Sequence, residues 1–244
     1  MAVQVEQAIA EKKHKSQSIV GLDLGIVKFV TTVTEKTAKQ YDPKNAYRDL
    51  EQKLVKEQKK LKNKEKYSEN WKRQIRKVQK VHQKIANSRN DFLHKLSTEI
   101  SKNHAIIVME DLKVSNMSKS SKGTVMQPGR NVRAKSSLNK SILDQGWHQF
   151  KQQLKYKSQW QGGNLILVEA KYTSQKCCIC GSTRKDNRKS QTAFRCIQCG
   201  MEENADINAA RNILAAGHAA TVCEANRISG QQQKPVETCE LSLP

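Results

Sequence analysis

The chain has 244 residues, with 44 Lys and Arg against 23 Asp and Glu, a formal net charge of +21 at pH 7. That length allows one substantial core with a small satellite module, and the cationic excess favours a polyanionic partner, nucleic acid first. Several classes are excluded: no apolar run approaches the ~20 residues of a spanning helix, no secretory signal is expected in residues 1–18, and aromatics at 5% are too few for base stacking, so phosphate contacts should dominate.

In chain order, Ser18–Leu24 and Lys28–Val33 read as two β-branched strands joined by a tight turn at Gly25. A short strand follows near Lys39–Tyr41, stopped at Asp42-Pro43. From Lys44 to Asn103 the period becomes helical, with Ala46, Leu50, Leu54 and Leu61, then Trp71, Ile75, Val78 and Ile85, then Leu93, Leu96 and Ile100. This predicts a helical hairpin broken near Asn63–Asn70. It holds eighteen Lys and Arg against seven Asp and Glu, a net +11 and about half of the chain's surplus. Single lysines there can be mere solvated surface, but the block predicts a face that tracks a nucleic-acid backbone, with Lys72, Arg73, Arg76, Lys77, Lys80, Lys84 and Arg89 as candidate contacts.

Ala105–Met109 is a continuous apolar run suited to a buried parallel strand, and it delivers Glu110 and Asp111 at its end. Ser115–Lys140 reads as a mobile loop, Ser137–Trp160 as one helix with Ile142, Leu143, Trp147, Phe150, Leu154 and Trp160 inward, and Asn164–Val168 as another buried strand. A short helix is expected over Ala205–Ala216, and a disordered tail from Gly217 onward.

Cys177-x-x-Cys180 and, fifteen residues later, Cys196-x-x-Cys199 have the spacing of a zinc ribbon, with Gly181 and Gly200 suiting the knuckle turns. Four thiolates leave no open position for water, so the zinc is expected to be structural. Cys178, Cys223 and Cys239 remain as an odd set, which suits a reducing cytoplasm better than a disulfide framework.

Three acids stand out. Asp23 lies on the strand face opposite Val20, Leu22 and Leu24, beside Gly21 and Gly25, which leave room for a close backbone or phosphate. Glu110 ends an apolar strand, and Asp206 opens a helix. Each alone has an ordinary reading as a turn former or a helix N-terminal charge. Together they suggest a cation, because buried, unpaired carboxylates cost several kcal/mol. Three carboxylates suit two Mg²⁺ ions roughly 4 Å apart, which can activate water and stabilise the leaving 3′ oxygen of a phosphodiester. Asp111 ranks below Glu110 and is as consistent with positioning the following turn.

Gly21-Leu-Asp-Leu-Gly25, the stretch Lys84–Ser97, Val108-Met-Glu-Asp-Leu112, Gly146-Trp147, Ser174-Gln175 and Asn204–Leu214 resemble the TnpB, or OrfB, family. These are transposon-encoded relatives of the type V CRISPR effectors, and the resemblance runs from about residue 18 to 216. It implies an α/β fold with an RNase H-like, RuvC-type mixed sheet, a basic helical hairpin insertion and an inserted zinc ribbon. Asp23, Glu110 and Asp206 would be the three catalytic acids holding Mg²⁺, and Cys177, Cys180, Cys196 and Cys199 the zinc ligands. The implied activity is RNA-guided DNA cleavage in a prokaryotic cytosol, with DNA and a guide RNA as partners.

The expected divisions are 1–17, 18–43 (first RuvC-like segment), 44–103 (hairpin), 104–170 (second RuvC-like segment), 171–203 (ribbon), 204–216 (last helix) and 217–244 (tail). Family members carry a sizeable region before the first strand that grips the guide RNA. Here about 17 residues precede Ser18, with Val3–Val5 as a remnant of that region. The chain is therefore expected to be a C-terminal fragment that keeps its acids. The competing expectations are a catalytically idle nucleic-acid-binding remnant and a three-acid, strand-joining transposase; the ribbon just before the last acid argues against the latter.

Overall fold

The computed structural model describes residues 12–169 and 171–228. Strands β1 (Ile19–Leu24), β2 (Val30–Val33) and β3 (Ala38–Tyr41) form an antiparallel meander, as their turn residues dictate. Strands β4 (Ile106–Glu110) and β5 (Asn164–Val168) extend the sheet in parallel beyond β1, in the order β3-β2-β1-β4-β5. Parallel neighbours need long crossovers, and the helices supply them. β4 is buried as expected, whereas β5 is the sheet edge, with Leu167 44% exposed, because nothing pairs beyond it among the described residues.

Between β3 and β4 run α1 (Ala46–Lys62) and the long α2 (Glu69–Asn103). Ala46 and Leu54 meet Val78, Val81 and Ile85 along their seam, with Leu50 and Leu61 at its margins. Ser68 caps α2 by accepting the Trp71 amide at 3.2 Å. α1 has no side-chain cap of its own. Both oxygens of Asp144 accept the Tyr47 amide at 3.0 Å instead, and Lys140 pairs with Glu51 at 2.9 Å, so a later helix holds the start of the hairpin.

That later segment departs from expectation. The loop contains a short turn of helix, α3 (Val114–Met117), and the single helix is two, α4 (Val132–Gln145) and α5 (Trp147–Gln161). They divide at Gly146, whose φ of 71° lies in the left-handed region that ends helices. The reorientation leaves Leu143 and Trp160 exposed, while Ile142, Trp147, Phe150 and Leu154 are buried as expected.

The two sheet faces carry different layers. Val20, Leu22, Ile107 and Met109 pack against Leu93, Leu96, Ile100, Phe150 and Leu154 of α2 and α5, and Phe29 meets Phe92 and Phe150 edge-on at 5.1 Å. The other face is covered by α6 (Ala205–Ile228), where Ala210 and Leu214 pack on Val33. α6 thus runs twelve residues past the expected end, so the predicted tail begins as helix. Residues 229–244, including Cys239, and Val3–Val5 lie outside the described residues.

Candidate active site and four-cysteine module

Strand alternation decides which side chains share the α6 face. Leu22 and Met109 are register partners that point into the main core, and Gly21 pairs with Val108 on the opposite face. Continuing that register places Asp23 beside Glu110, at the end of the sheet where α6 begins. Asn204 caps α6, its side-chain oxygen accepting the amides of Asp206 at 2.9 Å and Ile207 at 3.4 Å, which fixes Asp206 in the first turn. Three carboxylates distant in sequence thus lie near one end of the sheet, with Asp23 within charge range of both Glu110 and Asp206, though among the described residues only the four cysteines bring their ligand atoms close enough to share one ion.

Their electrostatics agree with that placement. Burial raises Asp23 well above its ordinary range, and repulsion from Glu110 and Asp206 adds to it, against the opposing Arg188. Burial raises Glu110 against a hydrogen bond from Thr173, and raises Asp206 against Arg188. Asp23 and Asp206 line a cleft of about 280 Å³ with Trp147, Met117, Thr192 and Arg188. Asp111 turns away, its exposed carboxylate paired with Lys151 at 2.8 Å.

The four cysteines form the tighter set. Their sulfurs all lie within 4.8 Å of one another, close enough to hold one metal ion, the chemistry of a zinc site. The amides of Cys199, first, and Gln198 hold the Cys196 thiol down to about 6. Gly181 and Gly200 take φ values of 73° and 75° as their amides return to the carbonyls of Cys177 and Cys196 at 3.0 Å, the turns anticipated for the two knuckles. Cys178 stays outside the cage, and its amide donates to Asn208 Oδ1 at 3.0 Å. A two-stranded ribbon, β6 (Ala193–Arg195) and β7 (Glu202–Asn204), leads from the module directly into α6.

On the hairpin, Lys72, Arg73, Arg76, Lys77, Lys80 and Lys84 are all exposed along α2, and the step of four from 72 to 84 keeps them on one side. Lys72 also pairs with Glu69 at 2.8 Å. Arg89 departs from the group. It is half-buried and donates to the Leu143 carbonyl at 3.0 Å, where it satisfies a helix C-terminus.

Sequence reasoning passed over Arg188, Thr173, Asn208 and Asn212. Arg188 stands 3.7 Å from Asp206 and lines the cleft, but in sequence it is one of several cations in the module. Asn208 and Asn212 carried a usable signal: two amides four apart, followed by the apolar pair Ile213-Leu214, belong on one inward stripe of a helix.

The fold and the cysteine cluster define a mixed α/β domain with a four-cysteine site able to hold a metal ion, and solved structures share that fold. The chain aligns with Cas12f1 in its complex with sgRNA and target DNA at a TM-score of 0.55 and 18% identity, over 80% of this chain and 49% of that one. Residues 1–121 match the OrfB_IS605 family model, described as a probable transposase, and residues 147–213 match the Cas12f1-like TNB domain. The chain belongs to the TnpB/OrfB family. It is 52% identical over 239 residues to the Escherichia coli (strain K12) protein InsQ, named as an RNA-guided DNA endonuclease, and 38% identical over 205 residues to a Streptomyces pristinaespiralis protein of like name. These alignments take in 97% and 84% of this chain but 59% and 46% of those relatives, so the chain spans about half the length of its curated relatives. Among the described residues, no helix is long and apolar enough to cross a membrane.

Proposed function

We propose that this chain carries the catalytic module of a metal-dependent DNA endonuclease of TnpB type, on an RNase H-like, RuvC-type sheet. The convergence of Asp23, Glu110 and Asp206, each with its acidity weakened by burial, carries the reading. Such a cluster is costly without a cation, and a donor set of carboxylate oxygens, with no thiolate or imidazole among the three, fits Mg²⁺. Bound there, Mg²⁺ would supply the Lewis acidity that activates water and stabilises a leaving 3′ oxygen.

The chain's own residues set the rest. Asp23 and Asp206 face the cleft, and Arg188, whose guanidinium donates to the carbonyls of Ser190 and Gln191 at 3.3 and 3.1 Å, is held 3.7 Å from Asp206, where its charge can meet phosphate. Cys177, Cys180, Cys196 and Cys199 bind zinc and shape the entry to α6. The exposed cations of α2 follow the sugar-phosphate backbone of DNA, or of a guide RNA such as the names of the relatives imply. The setting is a cytosol that keeps the thiols reduced.

The test is cleavage of single-stranded DNA by the full chain in Mg²⁺, beside Asp23→Ala. Metal-dependent products that the variant fails to form support the reading. Equal cutting by both proteins, or binding without turnover even when the remaining length of the relatives is supplied, leaves a nucleic-acid-binding protein instead.

A further inference from the structure

We infer that Thr173, Asn208 and Asn212 are positioning residues that couple the cysteine module to Glu110. The inference rests on the proposed metal-binding role of the acids. Thr173 Oγ1 donates to Glu110 Oε1, which occupies one carboxylate oxygen and fixes the rotamer of the other. Thr173 is itself held from behind. Asn212 Nδ2 donates to the Thr173 carbonyl at 2.8 Å and to the Lys176 carbonyl at 2.7 Å. Asn208 Nδ2 donates to the same Lys176 carbonyl at 2.8 Å, and its Oδ1 accepts the Cys178 amide at 3.0 Å. The first cysteine of the cage, Cys177, thus sits between two backbone groups that α6 grips.

Burial gives these bonds their leverage. Asn208 is fully buried and Asn212 nearly so, and each spends its amide on the backbone of this one segment. Buried amides without partners are costly, so the segment has one favourable register on α6. At the far side of the cage Asn187, also fully buried, donates to the carbonyls of Gln175 and Ser182 at 3.1 and 3.2 Å and accepts the Ile197 amide at 3.0 Å. A continuous set of hydrogen bonds therefore runs from the second knuckle through the first to α6, to Thr173 and to Glu110. The helix that presents Asp206 is the helix that aims Glu110. Metal held by the cysteines and metal held by the acids are linked through it, so disturbing Thr173 weakens the acid site while the cage stays intact.

The test uses the full chain in its zinc-loaded form and Mn²⁺ as a spin-active probe of the acid site, read by electron paramagnetic resonance, with zinc per chain measured in parallel. Wild type should bind Mn²⁺ in a way that Asp23→Ala abolishes; if Asp23→Ala changes nothing, the acids are not a metal site and the underlying reading fails with this one. Given that control, Thr173→Val should weaken Mn²⁺ binding about tenfold, the size expected for losing one buried charge-assisted hydrogen bond. Thr173→Ser should restore it to within about twofold, and both variants should keep one zinc per chain. Asn212→Ala should weaken Mn²⁺ binding to a similar degree. Mn²⁺ affinity in Thr173→Val equal to wild type, or no rescue by serine, overturns the coupling and leaves the acid site standing. Loss of zinc in Thr173→Val also overturns it, since the residue would then be only a scaffold of the cage.

Discussion

Gly21 of β1 lies directly under Ala210 of α6: a Cβ built on Gly21 would stand 2.5 Å from the Ala210 carbonyl oxygen and 2.8 Å from Leu214 Cβ. The missing side chain is what allows the helix carrying Asp206 to approach the strand carrying Asp23. Gly217 repeats the device against Val108 of the neighbouring strand β4, where a Cβ would collide with the valine Cγ2. Of the two partners anticipated for the glycines beside Asp23, a close backbone or a phosphate, Gly21 serves the first.

Gly21→Ala should therefore destabilise the chain by about 2 kcal/mol, the range of overpacked cores, because the neighbouring atoms are helix backbone and cannot rotate away. Urea unfolding followed by circular dichroism measures it. Activity should fall by more than the lost folded fraction explains, since any relief moves α6 off the sheet and carries Asp206 with it.

The three acids predict a pH dependence of definite sign. Asp23, Glu110 and Asp206 have folded-state acidities weakened relative to ordinary values of 3.8, 4.5 and 3.8. The native state therefore holds more protons than the unfolded one above about pH 4. Stability of the metal-free chain should fall as pH rises from there through the raised values, then level off. Asp23→Asn removes the most perturbed of the three, so at neutral pH the metal-free variant should melt about 2–4 °C above wild type while losing cleavage. A lower melting temperature for Asp23→Asn would contradict the electrostatic account.

Cys196→Ser should remove the cysteine-bound metal, and with it the register of the strands that feed α6. Zinc per chain, measured by a chromophoric chelator after denaturation, should drop from one to near zero. Metal-dependent cutting should vanish, while DNA binding through α2 should survive within about threefold, because the hairpin packs on its own seam of Leu54, Val78, Val81 and Ile85.

The exposed face of α2 should reveal itself through salt. Replacing Arg76, Lys80 and Lys84 with Gln should weaken binding to a DNA oligonucleotide and flatten the logarithmic dependence of affinity on salt by about 0.7–0.9 for each phosphate that is no longer neutralised. Fluorescence anisotropy from 50 to 200 mM NaCl reads both. Arg89→Gln should leave that slope unchanged and instead lower stability by about 1 kcal/mol, because its guanidinium serves the Leu143 carbonyl.

Much of this protein follows from local pattern, and the reasons are short-ranged. Alternation of Val20, Leu22 and Leu24 set the faces of β1, the apolar run Ala105–Met109 demanded a buried strand, and each CxxC pair brought its own two sulfurs together because each knuckle closes within a few residues. Where the rule was local but the outcome was decided elsewhere, expectation and structure diverge. Gly146 broke one helix into two once Arg89 and Leu93 packed against it, α6 continued past residue 216 along the sheet, and β5 became an exposed edge because nothing pairs beyond it among the described residues.

By itself the sequence determined the composition of the site: which acids end which elements, which thiols can share a metal, and which stretch carries the charge. Only the tertiary structure decided the relations among them. The parallel register that sets Asp23 beside Glu110, the Asp144 cap on α1, the withdrawal of Arg89, and the line from Asn212 through Thr173 to Glu110 all join residues tens of positions or more apart. Periodicity reports which face of an element is apolar and is silent on what will cover it; that depends on the packing of the whole chain, where one missing Cβ at Gly21 sets how closely a helix and its carboxylate can approach.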